Sequence, residues 1–360
     1  MNEANSNNRK TKAIFFAILA AALYGISAPV SKLLLKEIPP ALMAALLYLG
    51  AGFGMLIIHI FKSLQHQKKA EASITAQELP YILGMIFLDI AAPILLMLGL
   101  TYTTSANVAL LNNFEIVATS LIALLLFKEV VGKKMWLAII LITFSSLVLS
   151  VKDYSSFSFS IGSIFVLIAC VCWGFENNCT KMLSMKDPNQ IVIIKGFGSG
   201  IGALIIAYLC RQYSNNLIYI LLTFVLGFVA YGLSIYFYIY AQRDLGAART
   251  SAYYATAPFI GVLISWGIFH DRITVNFLIA LAIMLFGTFF AATEIHKHKH
   301  FHEELIHDHK HSHIDGHHTH EHEDGFTGEH SHEHIHKPLI HNHNHTPDSH
   351  HNHIHIEKQI

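Results

Sequence analysis

The chain has 360 residues, of which 53% are hydrophobic and only 13% are charged, and its formal net charge is zero with histidine neutral. Soluble domains carry about 25% charged residues, so this composition excludes an ordinary water-soluble globular domain. Residues 1–295 contain 19 Lys and Arg against 13 Asp and Glu, whereas residues 296–360 contain 5 against 11 and hold 23 of the 26 histidines. The chain therefore consists of a basic body and an acidic, histidine-rich tail.

Ten apolar stretches, called spans here, follow one another through the body. They cover residues 13–35, 40–61, 80–100, 104–127, 135–151, 160–182, 190–210, 217–240, 246–269 and 274–294. A helix needs about 20 mostly apolar residues to cross a bilayer. Arg9, Lys10 and Lys12 precede the first span as in a signal peptide, but its apolar run is too long for one. The sequence predicts an all-α polytopic membrane protein with ten transmembrane helices.

The basic residues between the spans indicate an orientation in the lipid bilayer. With the N-terminus in the cytoplasm, the cytoplasmic side holds Arg9, Lys10, Lys12, Lys62, Lys68, Lys69, Lys128, Lys133, Lys134, Lys186, Arg243 and Arg249. The outer side then holds Lys36, Lys152, Arg211 and Arg272. Cytoplasmic loops are enriched in Lys and Arg. We therefore expect a multi-pass protein of the cell membrane with both termini in the cytoplasm.

The second half of the body repeats features of the first half. At a shift of 149 residues, LYGISAPVSKLLL from Leu23 aligns with CWGFENNCTKMLS from Cys172, and at a shift of 142 residues span 4 falls on span 9. Five spans per copy is an odd number, so the second copy enters the membrane from the opposite side. Inverted repeats of this kind are typical of secondary transporters. We predict two five-helix repeats, residues 1–151 and 152–295, followed by the tail, residues 296–360.

Motifs in both halves resemble the EamA branch of the drug/metabolite transporter superfamily. They are an aromatic-Gly pair in spans 1 and 6, small residues opening spans 4 and 9 (TSANVALL and GAARTSAYYATAPFIG), and an acidic residue closing each of these two (LLLFKE and GIFHD). The segment CWGFENNCTKMLSMKDP is similar to a subgroup with a Trp-Gly-x-Asp/Glu-Asn-Asn run. The resemblance covers about residues 13–294. It implies ten helices in two inverted repeats and, usually, export of small metabolites or toxic compounds, but no particular substrate. Ile116 stands where span 9 has Pro258, so the two halves differ in function.

Polar residues inside the spans are the candidate substrate-binding groups. A charged side chain at the centre of a membrane helix costs about 2.5–3.5 kcal/mol on insertion scales, and such residues face the bundle interior or a water-filled path. Glu176 lies about 16 residues into span 6. The shift of 142 residues also places two tyrosines of the second half over polar residues of the first. The full candidate set is Glu176, Asn177, Asn178, Asp89, Asn112, Asn113, Glu115, Lys195, Trp173, Tyr24, Tyr231 and Tyr254.

Structural roles compete with substrate binding for these residues. The amides and carboxylates could instead hold helices together, although interhelical polar pairs contribute only about 0.6 kcal/mol on average. Lys195 either neutralises one of the three carboxylates or extends to the cytoplasmic interface. Span 7 reads KGFGSGIG, and span 2 contains Gly50 and Gly54. These spacings predict close approach of helix backbones.

The tail repeats the pattern His-x-His. Its apolar content is too low to form a core, which predicts disorder. Imidazole is a good ligand for zinc, nickel, cobalt and copper, so the tail is a candidate divalent-metal site, although the body requires no cofactor. The candidate ligands are His296, His298, His300, His302, His307, His309, His311, His313, His330, His332, His334 and His336. An unused solvated tail and a pH response, given an unperturbed imidazole pKa of about 6.5, are the alternatives.

Three functions remain open at this point. The first is a secondary transporter that exports a small organic solute, with protons as a candidate coupling ion. The second is a transporter for a divalent transition metal, with the tail as metal buffer or sensor. The third is a membrane anchor that displays the tail, for which ten spans are excessive. The body has no phosphate loop, nucleophile elbow or zincin-type His pair, so we expect no enzyme, and its short basic loops do not suggest nucleic-acid binding.

The loop charges generate a testable topology. Reporter fusions placed after Lys69 and after Lys186 should report a cytoplasmic position, and a fusion after Lys152 should report an outside position, because the basic loops stay in the cytoplasm. A cytoplasmic signal from the fusion after Lys152 would contradict the arrangement of five plus five spans.

Overall fold

The computed structural model describes residues 3–64, 76–127, 131–153, 158–183, 186–245, 250, 253–270, 273–293, 296–302, 305–311, 330–336 and 339–345. The helices of the body are α1 (Glu3–Gly25), α2 (Ser27–Leu34), α3 (Pro40–Leu64), α4 (Leu79–Tyr102), α5 (Ser105–Leu111), α6 (Phe114–Phe127), α7 (Lys133–Ser150), α8 (Ile161–Leu183), α9 (Pro188–Leu209), α10 (Leu217–Gly227), α11 (Ser234–Leu245), α12 (Ala257–Phe269) and α13 (Val275–Ala292). A short 3-10 helix (Ala76–Glu78) precedes α4, and a π-helical segment (Phe228–Leu233) joins α10 to α11.

The described helices confirm an all-α polytopic membrane protein. Nine segments of the described chain are long and apolar enough to cross a bilayer, and α12 is a shorter apolar helix of 13 residues. It forms the second part of the predicted span 246–269, whose residues 246–249 and 251–252 lie outside the described chain. Large apolar side chains such as Phe87 and Leu125 are exposed on the outer surface. In a bilayer this surface contacts lipid.

Several of the predicted spans are not continuous helices. Span 1 is interrupted at Ile26, span 4 at Asn112–Asn113, and a turn at Ala255–Thr256 precedes α12. The thiol of Cys170 lies 3.7 Å from the carbonyl oxygen of Leu111 and donates to it, at the end of α5. Irregular backbone at membrane depth is tolerated where it is buried in protein or lines a cavity. These spans are therefore each built from two helical segments.

Several helix contacts recur when the two halves are exchanged. Helix α3 packs on α9, α5 on α12, and α7 on α13, and each of these pairs joins corresponding spans of the two halves. The contact of α4 with α8 corresponds to that of α11 with α1, and the contact of α6 with α8 to that of α12 with α1. The division into two repeats remains a prediction, and this pattern supports it.

Glycines allow close approach at the helix crossings, as the sequence predicts. A Cβ atom at Gly50 would lie 2.0 Å from the carbonyl oxygen of Phe224, and one at Gly227 would lie 2.0 Å from that of Leu47. A Cβ atom at Gly196 of α9 would lie 2.5 Å from the nearest backbone atoms of α3. Helix α3 is therefore held between α9 and α10 by backbone contact.

The described residues also contain six short strands. Strands β1 (Val151–Asp153) and β2 (Ser158–Phe159) pair antiparallel between α7 and α8. In the tail, β3 (His296–His302) pairs with β6 (Leu339–His345), and β4 (Leu305–His311) pairs with β5 (His330–His336), both antiparallel. The composition predicts disorder for the tail as a whole. The period of two in His-x-His matches the period of a strand, and two-stranded ribbons are only marginally stable alone.

The glycine contacts predict an effect on stability. Gly50→Ala and Gly227→Ala should each destabilise the fold by about 1–3 kcal/mol, because the new methyl group forces α3 and α10 apart. Gly267→Ala is the matched control, since its would-be Cβ meets nothing within 4 Å. Thermal unfolding of the purified variants in detergent measures the difference. Equal melting temperatures for all three variants would contradict the packing.

Candidate functional site

A buried ion cluster joins three helices. Lys195 Nζ of α9 lies 3.1 Å from Asp89 Oδ2 of α4 and 3.0 Å from Glu176 Oε1 of α8. The exposed fractions are 0% for Asp89 and 2% for Glu176, and the Lys195 side chain is 14% exposed. Of the two open interpretations of Lys195, the structure shows the neutralising one, and the lysine pairs with two carboxylates rather than one. We call these three residues the ion cluster.

Two neighbouring hydroxyl groups hold the ion cluster in place. The hydroxyl of Tyr48 donates to Asp89 Oδ1 at 2.9 Å, and the hydroxyl of Thr180 donates to Glu176 Oε1. Asp89 lies one turn before Pro93, which remains inside α4. Proline has no N–H to donate to the carbonyl oxygen four residues earlier, so the backbone of α4 is also weakened beside the carboxylate.

The ion cluster is unbalanced in charge. With both carboxylates ionised, two negative groups share one ammonium, which leaves one excess negative charge in a buried position. Buried charges are costly unless they are paired and hydrogen-bonded. One added proton or one bound cation would neutralise the cluster.

A second polar group connects α6 to α8. The amide of Asn177 donates to Glu115 Oε1 at 2.7 Å and to Thr119 Oγ1 at 3.1 Å. The amide of Asn178 donates to the carbonyl oxygens of Thr119 and Gly174 at 3.2 and 2.8 Å. The Asn177 amide thus donates to a carboxylate, whereas the Asn178 amide donates to backbone carbonyl oxygens of α6 and α8.

Four tyrosines form a connected aromatic group, which we call the tyrosine cluster. The Tyr24 ring lies 6.0 Å from the Tyr231 ring and 5.8 Å from the Tyr254 ring, between centroids, and the Tyr48 ring lies 5.5 Å from the Tyr231 ring. Ser27 donates to the Tyr231 hydroxyl at 3.2 Å. Because Tyr48 also donates to Asp89, the tyrosine cluster adjoins the ion cluster.

A small cavity lies where the interrupted helices meet. Its walls come from both sides of the break in span 1, from α4 and α5, and from the start of α12; they include Tyr24, Gly25, Asn112, Ala257 and Pro258. The free volume is about 10 Å³, enough for about one water molecule. Within the described part of the chain, the buried Asn112 Oδ1 accepts no hydrogen bond.

The predicted site residues therefore fall into neighbouring groups, with one exception. Trp173 is 6% exposed and packs in the apolar core, and its side chain is within hydrogen-bonding reach of Tyr48, so it adjoins the tyrosine cluster. The exception is Asn113, which is 2% exposed and hydrogen-bonds Leu110 and Thr288. The sequence does not single out five further residues of these groups: Tyr48, Ser27, Thr119, Thr180 and Ser234, whose hydroxyl oxygen lies 3.3 Å from that of Tyr254. All five carry a hydroxyl group within an apolar span, the only signal that the sequence offers for them.

This fold and site define a class of protein. It is a polytopic α-helical membrane protein with a buried polar centre where interrupted helices meet. The pattern of the EamA-like transporter family matches residues 11–151 and residues 160–293. The two matches cover most of the chain, so the chain belongs to this family of membrane transporters. The predicted resemblance is thus confirmed for the body, and a transporter family fits the expectation of a non-enzyme.

Individual relatives agree with the family assignment. An uncharacterized transporter of Methanothermobacter thermautotrophicus (strain Delta H) is 26% identical over 288 residues, which are 76% of this chain and 83% of the relative. The crystal structure of another protein superposes with a TM-score of 0.57 at 14% identity, over 78% of this chain and 95% of that chain. At this identity the likeness shows the fold alone.

The ion cluster predicts a specific pattern of stability. Lys195→Met should lower the free energy of unfolding by about 3–5 kcal/mol, because two buried carboxylates lose their only ion-pair partner in the cluster. The triple variant Asp89→Asn, Glu176→Gln and Lys195→Met should recover most of the loss, since no unpaired charge remains. Thermal unfolding in detergent measures both, with the exposed Lys36→Met as control. A Lys195→Met protein as stable as the parent would exclude this role for the cluster.

Proposed function

We propose that this protein is a secondary active transporter that exports a small metabolite or toxic compound through a site between its two halves. The observation that carries the proposal is the ion cluster, in which one ammonium serves two buried carboxylates. Asp89 belongs to the predicted first repeat, and Glu176 and Lys195 belong to the second. The cluster therefore joins the parts that move against each other when such transporters alternate.

Protons are the coupling ion in this proposal. When both carboxylates are ionised, the excess charge attracts a proton or a cationic group, and when one is protonated the cluster is neutral. Gain or loss of this proton alters the ion pairs that connect α4, α8 and α9. A ligand shifts a conformational equilibrium only by its differential affinity for the two states. Proton binding here supplies such a difference, because protonation of Asp89 removes the ion pair that joins the two halves, whereas protonation of Glu176 leaves Lys195 to Asp89 alone.

The orientation is part of the proposal. Both termini lie in the cytoplasm according to the twelve-to-four distribution of basic residues between the loops. The solute then enters from the cytoplasmic side, and protons enter in exchange from outside.

Transport in proteoliposomes tests this function directly. A panel of small solutes, with and without a pH gradient, should contain at least one whose flux depends on the gradient. Glu176→Gln keeps the shape of the side chain and removes its charge, so it should reduce this flux by at least about ten-fold, as expected when a proton-carrying group is lost.

The control is Glu37→Gln, which alters an exposed carboxylate outside the ion cluster. It should transport like the parent. If the folded Glu176→Gln protein also transports at the parent rate, Glu176 is not on the transport path.

A second candidate function is the transport of zinc, nickel, cobalt or copper, with the tail as buffer or sensor. One observation favours a metal-binding tail: the strand register places histidine opposite histidine at six positions, such as His298 with His343 and His309 with His332. His313 lies outside the described residues. In the described part of the body, no group of three or more His, Cys, Asp or Glu is placed to hold a metal ion.

A truncated chain ending at Glu294 separates the two candidates. The full chain should bind several zinc or nickel ions near neutral pH and fewer below about pH 6, because protonated imidazole is not a ligand. The truncated chain should lose this binding and keep solute transport. Calorimetric titration and the liposome assay measure the two properties. If truncation changes only metal tolerance or metal flux, the metal candidate replaces the first.

A further inference from the structure

We propose that the solute of this site is a small organic ammonium cation, with its charged nitrogen between Glu115 and the tyrosine cluster and a hydrogen-bond donor directed at Asn112. The inference rests on the proposed transport function and adds the class of substrate. It combines the charge balance of the site, the aromatic rings, and an acceptor that has no partner.

The charge balance favours a cation. Among the described residues the site contains three carboxylates, Asp89, Glu115 and Glu176, and the ammonium of Lys195. Lys195 is paired with the first and third of these. The hydrogen bond to Glu115 comes from the neutral amide of Asn177. Glu115 is thus the carboxylate whose direct contacts leave its charge unpaired, and an anionic solute would be repelled.

Glu115 lies one helical step from the cavity that Tyr24 lines. Its N–H donates to the carbonyl oxygen of Asn112 at 3.1 Å, and Asn112 and Tyr24 line the same cavity. The rings of Tyr24, Tyr231 and Tyr254 belong to α1, to the π-helical segment and to the residues before α12, so they come from three spans. Aromatic faces attract cations, most strongly in desolvated sites. A ring cluster beside a carboxylate is the arrangement that recognises ammonium groups.

Asn112 supplies the second recognition element. Its Oδ1 atom is buried and has no donor within the described chain, although an unpaired buried acceptor costs about 1–3 kcal/mol. It lines the cavity together with Tyr24 and small residues such as Gly25, Ala28 and Ala109. A hydroxyl or N–H group of the solute would satisfy this acceptor. The solute is therefore short, with a donor a few bonds from its ammonium group.

The cavity is too small for the proposed solute, so the structure corresponds to a closed state. Its volume is enough for about one water molecule and not for even a short ammonium ion. The interruptions at Ile26, Asn112–Asn113 and Ala255–Thr256 all lie at the cavity or beside its lining residues. Small rotations of the helix segments at these breaks widen the same space, without the need to unfold a continuous helix.

Binding to the full-length purified protein tests the inference. The probes are ethanolammonium, tetramethylammonium, ethylene glycol and glycolate, of which the first, third and fourth have similar size and differ in charge. Ethanolammonium should bind best and raise the melting temperature, tetramethylammonium should bind more weakly because it lacks a donor for Asn112, and the neutral and anionic probes should not bind.

Variants assign the contacts. Tyr24→Leu should weaken binding of ethanolammonium by about ten- to thirty-fold, and Tyr24→Phe should retain most of it, because the ring and not the hydroxyl attracts the cation. Glu115→Gln should weaken both cationic probes by at least about ten-fold and reduce the preference over ethylene glycol. Tyr208→Phe, an exposed tyrosine of α9, is the control and should bind like the parent.

The outcomes distinguish this inference from the proposed function. Failure of both ammonium probes to bind, or equal binding of glycolate, would overturn the inference. Proton-dependent flux of a neutral or anionic solute would also overturn it and leave the proposed function in place. If ethanolammonium binds as predicted and no solute in the panel moves with the pH gradient, the binding class stands and proton-coupled transport fails.

Discussion

The sharing of one lysine by two buried carboxylates is the constraint on which the centre of this protein depends. Lys195 contacts Asp89 and Glu176 at 3.1 and 3.0 Å. Desolvation of a buried ion costs several kcal/mol even after relaxation. Each of these three charges is therefore tolerated in the interior only because it is paired. The three helices that carry these residues must therefore keep their relative positions for the cluster to persist.

The surrounding packing provides that precision. Glycines bring α3 against α9 and α10 at backbone distance, and Tyr48 of α3 reaches Asp89 from this position. The interrupted helices need a similar compensation, since their free carbonyl groups have no water at membrane depth. Cys170 meets that need at Leu111, and it belongs to α8, the helix that also carries Glu176. Close packing and polar satisfaction thus depend on the same few helices.

Much of the fold could be predicted from the sequence because apolar length is a strong signal in membranes. The ten spans and the intramembrane charges follow from it, and the expectation that Lys195 neutralises a carboxylate holds. The break at Ile26 has a signal in the sequence, since Pro29 has no N–H to donate to the Gly25 carbonyl oxygen. The break at Asn112–Asn113 could not be predicted, because no proline lies there and the bond that compensates it comes from Cys170 on a distant helix. Tyr48 was missed for the same reason: its role depends on Asp89, which is 41 positions away in the chain.

The hydroxyl of Tyr48 bonds to Asp89 while its ring packs on Tyr231. A single rigid side chain therefore belongs to both the ion cluster and the tyrosine cluster. Coupling between two binding sites is reciprocal: if protonation of one changes the affinity of the other for its ligand by some factor, ligand binding changes the proton affinity of the first by the same factor. Because Tyr48 contacts both the ion cluster and the tyrosine cluster, its single aromatic ring is a direct route for such a coupling free energy between them.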